Sequence, residues 1–187
     1  MSDDIILVGD CMKNKTKDMI ECSLFTALLC IIAPVAVPVG AVPVTLAVFA
    51  VILTAAVLGT KKAAVSVCVY IFLGLVGLPV FSYGRAGLPV IFGPTGGFVW
   101  SYILMAITTG IILNLQKGKK HFAYTGSILA LAVCYICGTA QFMAITTCGI
   151  HEALTVCVYP FVLFDVLKCI SGIWLGTKIK KNLPDKS

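Results

Sequence analysis

The sequence predicts an all-α integral membrane protein: a bundle of six transmembrane helices with both termini in the cytoplasm. Three observations carry that prediction. First, of 187 residues 59% are hydrophobic and 12% are charged, whereas a soluble domain carries about 25% charged residues. Second, mean hydropathy is +1.03, and the apolar residues gather in runs near the ~20 residues that cross a ~30 Å hydrocarbon core. Third, twelve of the fourteen basic residues fall in four patches at every second break between those runs, so that all four lie on one side of the membrane.

Taken in order, residues 1–18 are polar and of mixed charge. They lack the apolar core and small-residue cleavage site of a signal peptide and read as a cytoplasmic N-terminal segment. The six spans follow within a membrane domain of residues 19–176: Met19–Val37, Ala41–Leu58, Ala63–Leu78, Gly97–Leu115, Phe122–Cys148 and Leu154–Leu175. A basic tail, 177–187, closes the chain. Lys13, Lys15 and Lys17 precede the first span. Lys61 and Lys62 follow the second, Lys117, Lys119 and Lys120 the fourth, and Lys178, Lys180, Lys181 and Lys186 the last. Basic residues accumulate on the cytoplasmic side, so these connections face inward. The outward ones hold Arg85, with His151 and Glu152 near the last span.

The outward connections differ in chemistry from the inward ones. Pro38–Pro43 is short, apolar and stiffened by its prolines, and reads as a simple link between spans. The segment Pro79–Gly96 is the longest connection and is rich in glycine and proline. Apolar, non-helical backbone near a membrane must be buried in protein or line a cavity, which makes this segment a lid.

Composition excludes several classes of function. The net charge of +6 lies in span-flanking patches without the interleaved aromatics that stack bases, so it indicates anionic membrane lipid and not nucleic acid. Of nine cysteines, Cys22, Cys30, Cys68, Cys134, Cys137, Cys157 and Cys169 lie within apolar runs, where a thiol behaves as a small hydrophobe. Cys134 and Cys137 have redox-motif spacing but sit mid-span, away from water. There is no G-x-x-x-x-G-K-[ST] phosphate loop, no G-x-S-x-G and no H-E-x-x-H. His121 and His151 fall on opposite sides of the membrane, which excludes a paired-histidine metal site. No nucleophile–base pair is legible, so no catalytic residue, metal or cofactor is expected.

What remains suits binding. Asp165 and Lys168 are the two charged residues deep inside a span, and at i and i+3 they share one helix face. A charge at a bilayer centre costs about 2.5–3.5 kcal/mol even on lenient scales. The pair is therefore either a structural ion pair between helices or a polar site facing the bundle interior. Arg85 offers a planar five-donor fork on the outward lid. Asp165, Lys168 and Arg85 together suit a small ligand with one carboxylate and one neutral hydrogen-bonding head. Phe81, Tyr83 and Phe92 on the lid could wall its apolar part or serve as ordinary loop packing. On the first span, Ser23-x-x-x-Ala27 places small residues along one face, which permits close approach of the chain's own bundle or of a partner subunit.

Gly77-Leu-Pro-Val-Phe-Ser-Tyr-Gly-Arg-Ala-Gly87, Phe92-Gly-Pro-Thr-Gly-Gly97 and Pro160-Phe-Val-Leu-Phe-Asp-Val-Leu-Lys168 resemble the biotin-specific substrate-binding (S) component of energy-coupling factor (ECF) transporters, the BioY family. The resemblance spans residues from about 20 to 175. It implies a multi-pass protein of the prokaryotic plasma membrane that captures biotin at the outer face. It also implies a transmembrane coupling (T) protein and two cytoplasmic ATPases as partners, with ATP hydrolysis on those partners and no enzyme activity here. Asp165 and Lys168 match ligand-contacting positions, and Arg85 aligns with a polar lid position. Some relatives carry glutamine where this chain has Ala47 and arginine where it has Val99, which raises the importance of Arg85 for the ligand carboxylate. The same resemblance implies partner docking at Ser23 and Ala27. The competing reading is a stand-alone secondary transporter or channel for a small carboxylated solute, with Asp165 relaying protons.

Overall fold

A computed structural model describes residues 2–39, 42–115 and 120–182, with side chains for 15–38, 42–115 and 123–182. Lys117, Lys119 and Lys186 lie outside the described residues, as do Gly40 and Ala41; the side chains of Lys13, Lys120 and His121 are likewise undescribed.

Helix α1 (Ser2–Ile32) runs through both the polar leading stretch and the first apolar run, so no break in secondary structure falls at residue 18. It stops just ahead of Pro34, because the residue before a proline is pushed out of the helical region. The next segment departs from the sequence reading. In place of a plain link, strands β1 (Ala36–Val39) and β2 (Val42–Thr45) form an antiparallel hairpin in which Pro38 faces Pro43. Alternating valines supply the β preference. Two facing prolines are tolerated because alternate pairs of an antiparallel ladder exchange no N–H···O bonds.

As a result, the second apolar run is helical only over α2 (Ala47–Leu58). Ten of its twelve residues are buried, and a helix apolar on every side belongs in a core. At 1.5 Å per residue it is about 18 Å long, so helix and hairpin share this run. Helix α3 (Thr60–Val76) follows after Gly59. A short 3₁₀ turn (Ser82–Gly84) and α4 (Leu88–Ile91) shape the lid segment, before α5 (Gly96–Leu115) and α6 (Lys120–Thr146). The last apolar run is not one straight span. Helix α7 (Ile150–Cys157) and helix α8 (Val162–Asn182) meet at a 51° bend, where Pro160 cannot continue the α7 hydrogen bonding.

Close packing rests on glycine. Gly172 and Gly176 on α8 face α2, and a Cβ built on Gly176 would lie 2.4 Å from the Ala56 Cβ. A Cβ on Gly97 of α5 would lie 2.6 Å from the Cys137 carbonyl and 3.0 Å from the Cα of Gly138, both on α6. Small residues spaced by four let membrane helices approach until backbones touch. By length and composition, α5 and the Ala123–Thr146 part of α6 are able to cross a membrane, and the bent α7–α8 pair makes a third if counted as one span.

Candidate functional site

One end of the bundle is roofed by the hairpin and the 77–95 segment, and a cavity lies beneath them. Its empty volume is about 680 Å³, open solvent at the mouth included, within the ~300–1,000 Å³ usual for small-ligand sites. Val42, Val44, Val48, Phe98, Val99 and Phe161 form most of the apolar wall. Asp165, Tyr135, Tyr102, Thr45, Thr95, Ser82 and Arg85 are its polar members.

Asp165 is the polar centre, 7% exposed. It lies in the first turn of α8, directly after the bend, where the helix dipole favours a negative charge. Lys168 Nζ donates to its Oδ1 at 2.8 Å, and the Tyr135 hydroxyl donates to its Oδ2 at 2.8 Å. Lys168 Nζ also donates to the backbone carbonyl of Thr45 at 2.8 Å, tying α8 to the end of β2. An ionised carboxylate has about four acceptor positions, so capacity remains for a ligand. Asp165 and Lys168 offset each other in charge, which leaves Arg85 to make the site cationic.

Arg85 lines the mouth of the cavity and is exposed. Its guanidinium lies 5.9 Å from the centroid of the Tyr83 ring, in range of a cation–π contact. Tyr83 has a positive φ of 60°, which is uncommon outside glycine. Its N–H bonds to the carbonyl of Pro34 at 3.1 Å. Tyr83 therefore supports Arg85 and is not part of the cavity wall. Phe81 also stands outside the wall. It is buried against Gly74, where a Cβ would come within 2.2 Å of its ring, and it meets Tyr70 edge-on at 5.8 Å. It pegs the lid into the core. Phe92 is 69% exposed and away from the cavity. Lys168, read from the sequence as a ligand contact, sits behind Asp165 and is absent from the cavity lining.

Sequence reasoning missed three contributors. Tyr135 lies 30 residues from Asp165, and its only signal was a phenol inside an apolar run, which needs a partner when buried. Gln141 Nε2 donates to the carbonyls of Ile91 and Gly93, each at 2.9 Å, and so fastens the lid to α6. The β2 backbone forms one wall and gave no signal, because Val and Pro in an apolar run look like span. On α1, Thr26 and Cys22 face α3: Thr26 Oγ1 donates to the Ser66 carbonyl at 3.2 Å, and Ser66 Oγ to the Cys22 carbonyl at 3.2 Å. Ser23 and Ala27 lie on exposed surface beside them.

The fold and the cavity define a class: a helical membrane protein with a largely apolar ligand chamber, acidic at its centre and basic at its mouth. The chain belongs to the BioY family, whose family model matches residues 8–185. It is 35% identical over 167 residues to "Biotin transporter BioY" of Thermotoga maritima, covering 88% of this chain and 96% of that protein. It is 34% identical over 148 residues to "Biotin transporter BioY2" of Lactococcus lactis, covering 79% and 81%. Its fold is similar to the crystal structure of the S-component for biotin from an ECF-type ABC transporter. That match has a TM-score of 0.84 at 21% identity and covers 91% of this chain and 94% of the other.

Proposed function

We propose that this protein is the biotin-capturing S-component of an ECF transporter, working at the outer face of the membrane. In this reading it crosses the membrane six times with both termini in the cytoplasm. The crossings are α1, α2 with its hairpin, α3, α5, α6 and the bent α7–α8 pair. The inward placement of the lysine patches supports that orientation. A coupling protein and two cytoplasmic ATPases drive uptake, since the sequence has no phosphate loop of its own. The exposed Ser23 and Ala27 strip on α1 is the proposed docking face for the coupling protein.

The observation that carries the reading is a charged, doubly braced carboxylate at the wall of an apolar cavity. Biotin has a ureido ring with two N–H donors, an apolar fused ring and a carboxylated tail. Asp165 accepts from a ureido N–H, the valine and phenylalanine walls cover the apolar ring, and Arg85 at the mouth pairs the tail carboxylate. Direct titration of purified protein with biotin and with biotin amide tests this. Biotin is expected to saturate one site. Hydrogen bonds to a charged group contribute about 1.5–3 kcal/mol, so Asp165→Asn should weaken biotin roughly ten- to hundred-fold. Arg85→Ala should weaken biotin more than the amide, which carries no charge for the guanidinium. Folded protein that fails to bind biotin would overturn the assignment. Uptake that follows an ion gradient without ATP would place it with the stand-alone transporters.

A further inference from the structure

Where Asp165 meets the cavity, its hydrogen bonds run in one direction. Tyr135 has one hydroxyl proton, and it points to Asp165 Oδ2 at 2.8 Å. Lys168 bonds Oδ1 and the Thr45 carbonyl, each at 2.8 Å, from behind the wall. The groups left facing the chamber here are lone pairs, on both Asp165 oxygens and on the Tyr135 hydroxyl oxygen. Tyr135 and Asp165 line the cavity, whereas Lys168 does not. The acceptor surface is thus held from α6 on one side and from α8 and β2 on the other.

We propose that Tyr135 is the specificity-determining positioning residue of this site. Its hydroxyl fixes the Asp165 carboxylate so that its free lone pairs face inward, which selects a ligand head that turns an N–H donor toward them, as a cyclic urea does. A head that turns an acceptor or a blocked nitrogen toward Asp165 meets lone pairs it cannot satisfy. Sites that hydrogen-bond a specific donor reject analogues lacking it strongly, because the buried polar group is left unpaired. Without the hydroxyl, Oδ2 loses its brace and the carboxylate can turn toward Lys168. Selectivity then falls more than general binding. This inference rests on the biotin reading above.

The test compares biotin with a biotin analogue methylated on both ureido nitrogens, by titration of wild type and of Tyr135→Phe. Wild type should strongly prefer biotin. In Tyr135→Phe, biotin should weaken roughly tenfold or more, the analogue much less, and the preference should shrink by about the same factor. A merely structural role predicts equal weakening of both ligands, and that result overturns the proposal. Removing the phenol alone leaves a less satisfied buried carboxylate, so Asp165→Asn and Asp165→Asn/Tyr135→Phe provide a second comparison without that charge. These two should bind biotin equally, since Tyr135 acts through the carboxylate. A double variant much weaker than Asp165→Asn means that Tyr135 contacts the ligand by itself, which also overturns it. Wild type that binds no biotin sinks the functional reading; wild type that binds, with an unchanged Tyr135→Phe, sinks only this one.

Discussion

Where α5 meets α6 and α8 meets α2, glycines bring helices together until a single added carbon would overlap a neighbouring backbone or side chain. At the cavity end, the hairpin and the 77–95 segment are irregular and are held by side chains that reach backbone carbonyls: Lys168 to Thr45, Gln141 to Ile91 and Gly93, Tyr70 to Val80. The first region is specified by shape, which in lipid does the work that water-driven burial does in soluble proteins. The second is specified by hydrogen-bond satisfaction, since irregular backbone at membrane depth must find partners within the protein. Shape tolerates no addition, whereas the polar ties can be removed one at a time.

Substitutions should separate the two regions. The largest effect is expected from Gly97→Leu. Its Cβ would overlap the Cys137 carbonyl, backbone that cannot swing aside, so the cost exceeds the ~1–3 kcal/mol common for overpacking. Size-exclusion chromatography should show loss of monodisperse protein. Phe81→Ala comes next at about 3–5 kcal/mol, read as a lower melting temperature in detergent. It is the sharpest challenge to the comparison, because Phe81 makes the lid depend on packing at one point. If Phe81→Ala costs no more than a lost hydrogen bond, the lid is held by polar ties alone.

Gln141→Leu should be milder. It leaves two carbonyls without their donor, about 1–3 kcal/mol, and stopped-flow measurements should show faster biotin dissociation with the helix core intact. Lys62→Met is expected to have the smallest effect, at most about 1 kcal/mol for a partly exposed ion pair. Lys62 bridges α3 to Asp18 and Glu21 of α1. Burial pulls its pKa down, but the hydrogen bonds and charges of the two carboxylates outweigh that and hold it above the ordinary 10.5. A raised pKa means that this contribution is complete at neutral pH and fades as pH climbs past 10.5 through the folded-state value. The difference in melting temperature between wild type and Lys62→Met should therefore persist from neutral pH and close only in strong alkali.

The same division decides what the sequence revealed. Hydropathy located α3, α5 and α6 nearly to their ends, because a packed apolar helix is written in consecutive residues. It did not separate β2 from α2, since Val42–Thr45 is as apolar as the helix it precedes. It merged α7 and α8, although Pro160 stood in the run as the signal of the bend. At the site, Asp165 stood out because a carboxylate in an apolar run must have a reason, and Arg85 because it is the lone cation in the connections that the charge pattern assigns to the outside. Lys168 was legible as a partner for Asp165 but not as a tie to Thr45, 123 residues away. The lid aromatics stayed ambiguous for the opposite reason. An aromatic ring suits a cavity wall, a core peg or a cation support equally well, and only geometry distinguishes Phe81 from Tyr83.

A hairpin of two strands has two open edges, and each is an invitation for another strand to attach. In the pair Pro38–Pro43, neither residue has an N–H to exchange across the ladder, so the bonding direction at this pair points outward, to the free edges. There the prolines offer an incoming strand carbonyls but no N–H. While the chain is being made and inserted, with many copies crowded in one plane of lipid, the hairpin is thereby barred from recruiting its counterparts into a growing sheet. Pro43, which lines the cavity, and Pro38 opposite it thus also guard the edges of the hairpin. Replacing both with valine would test this, with detergent-resistant oligomers as the sign of an unguarded edge.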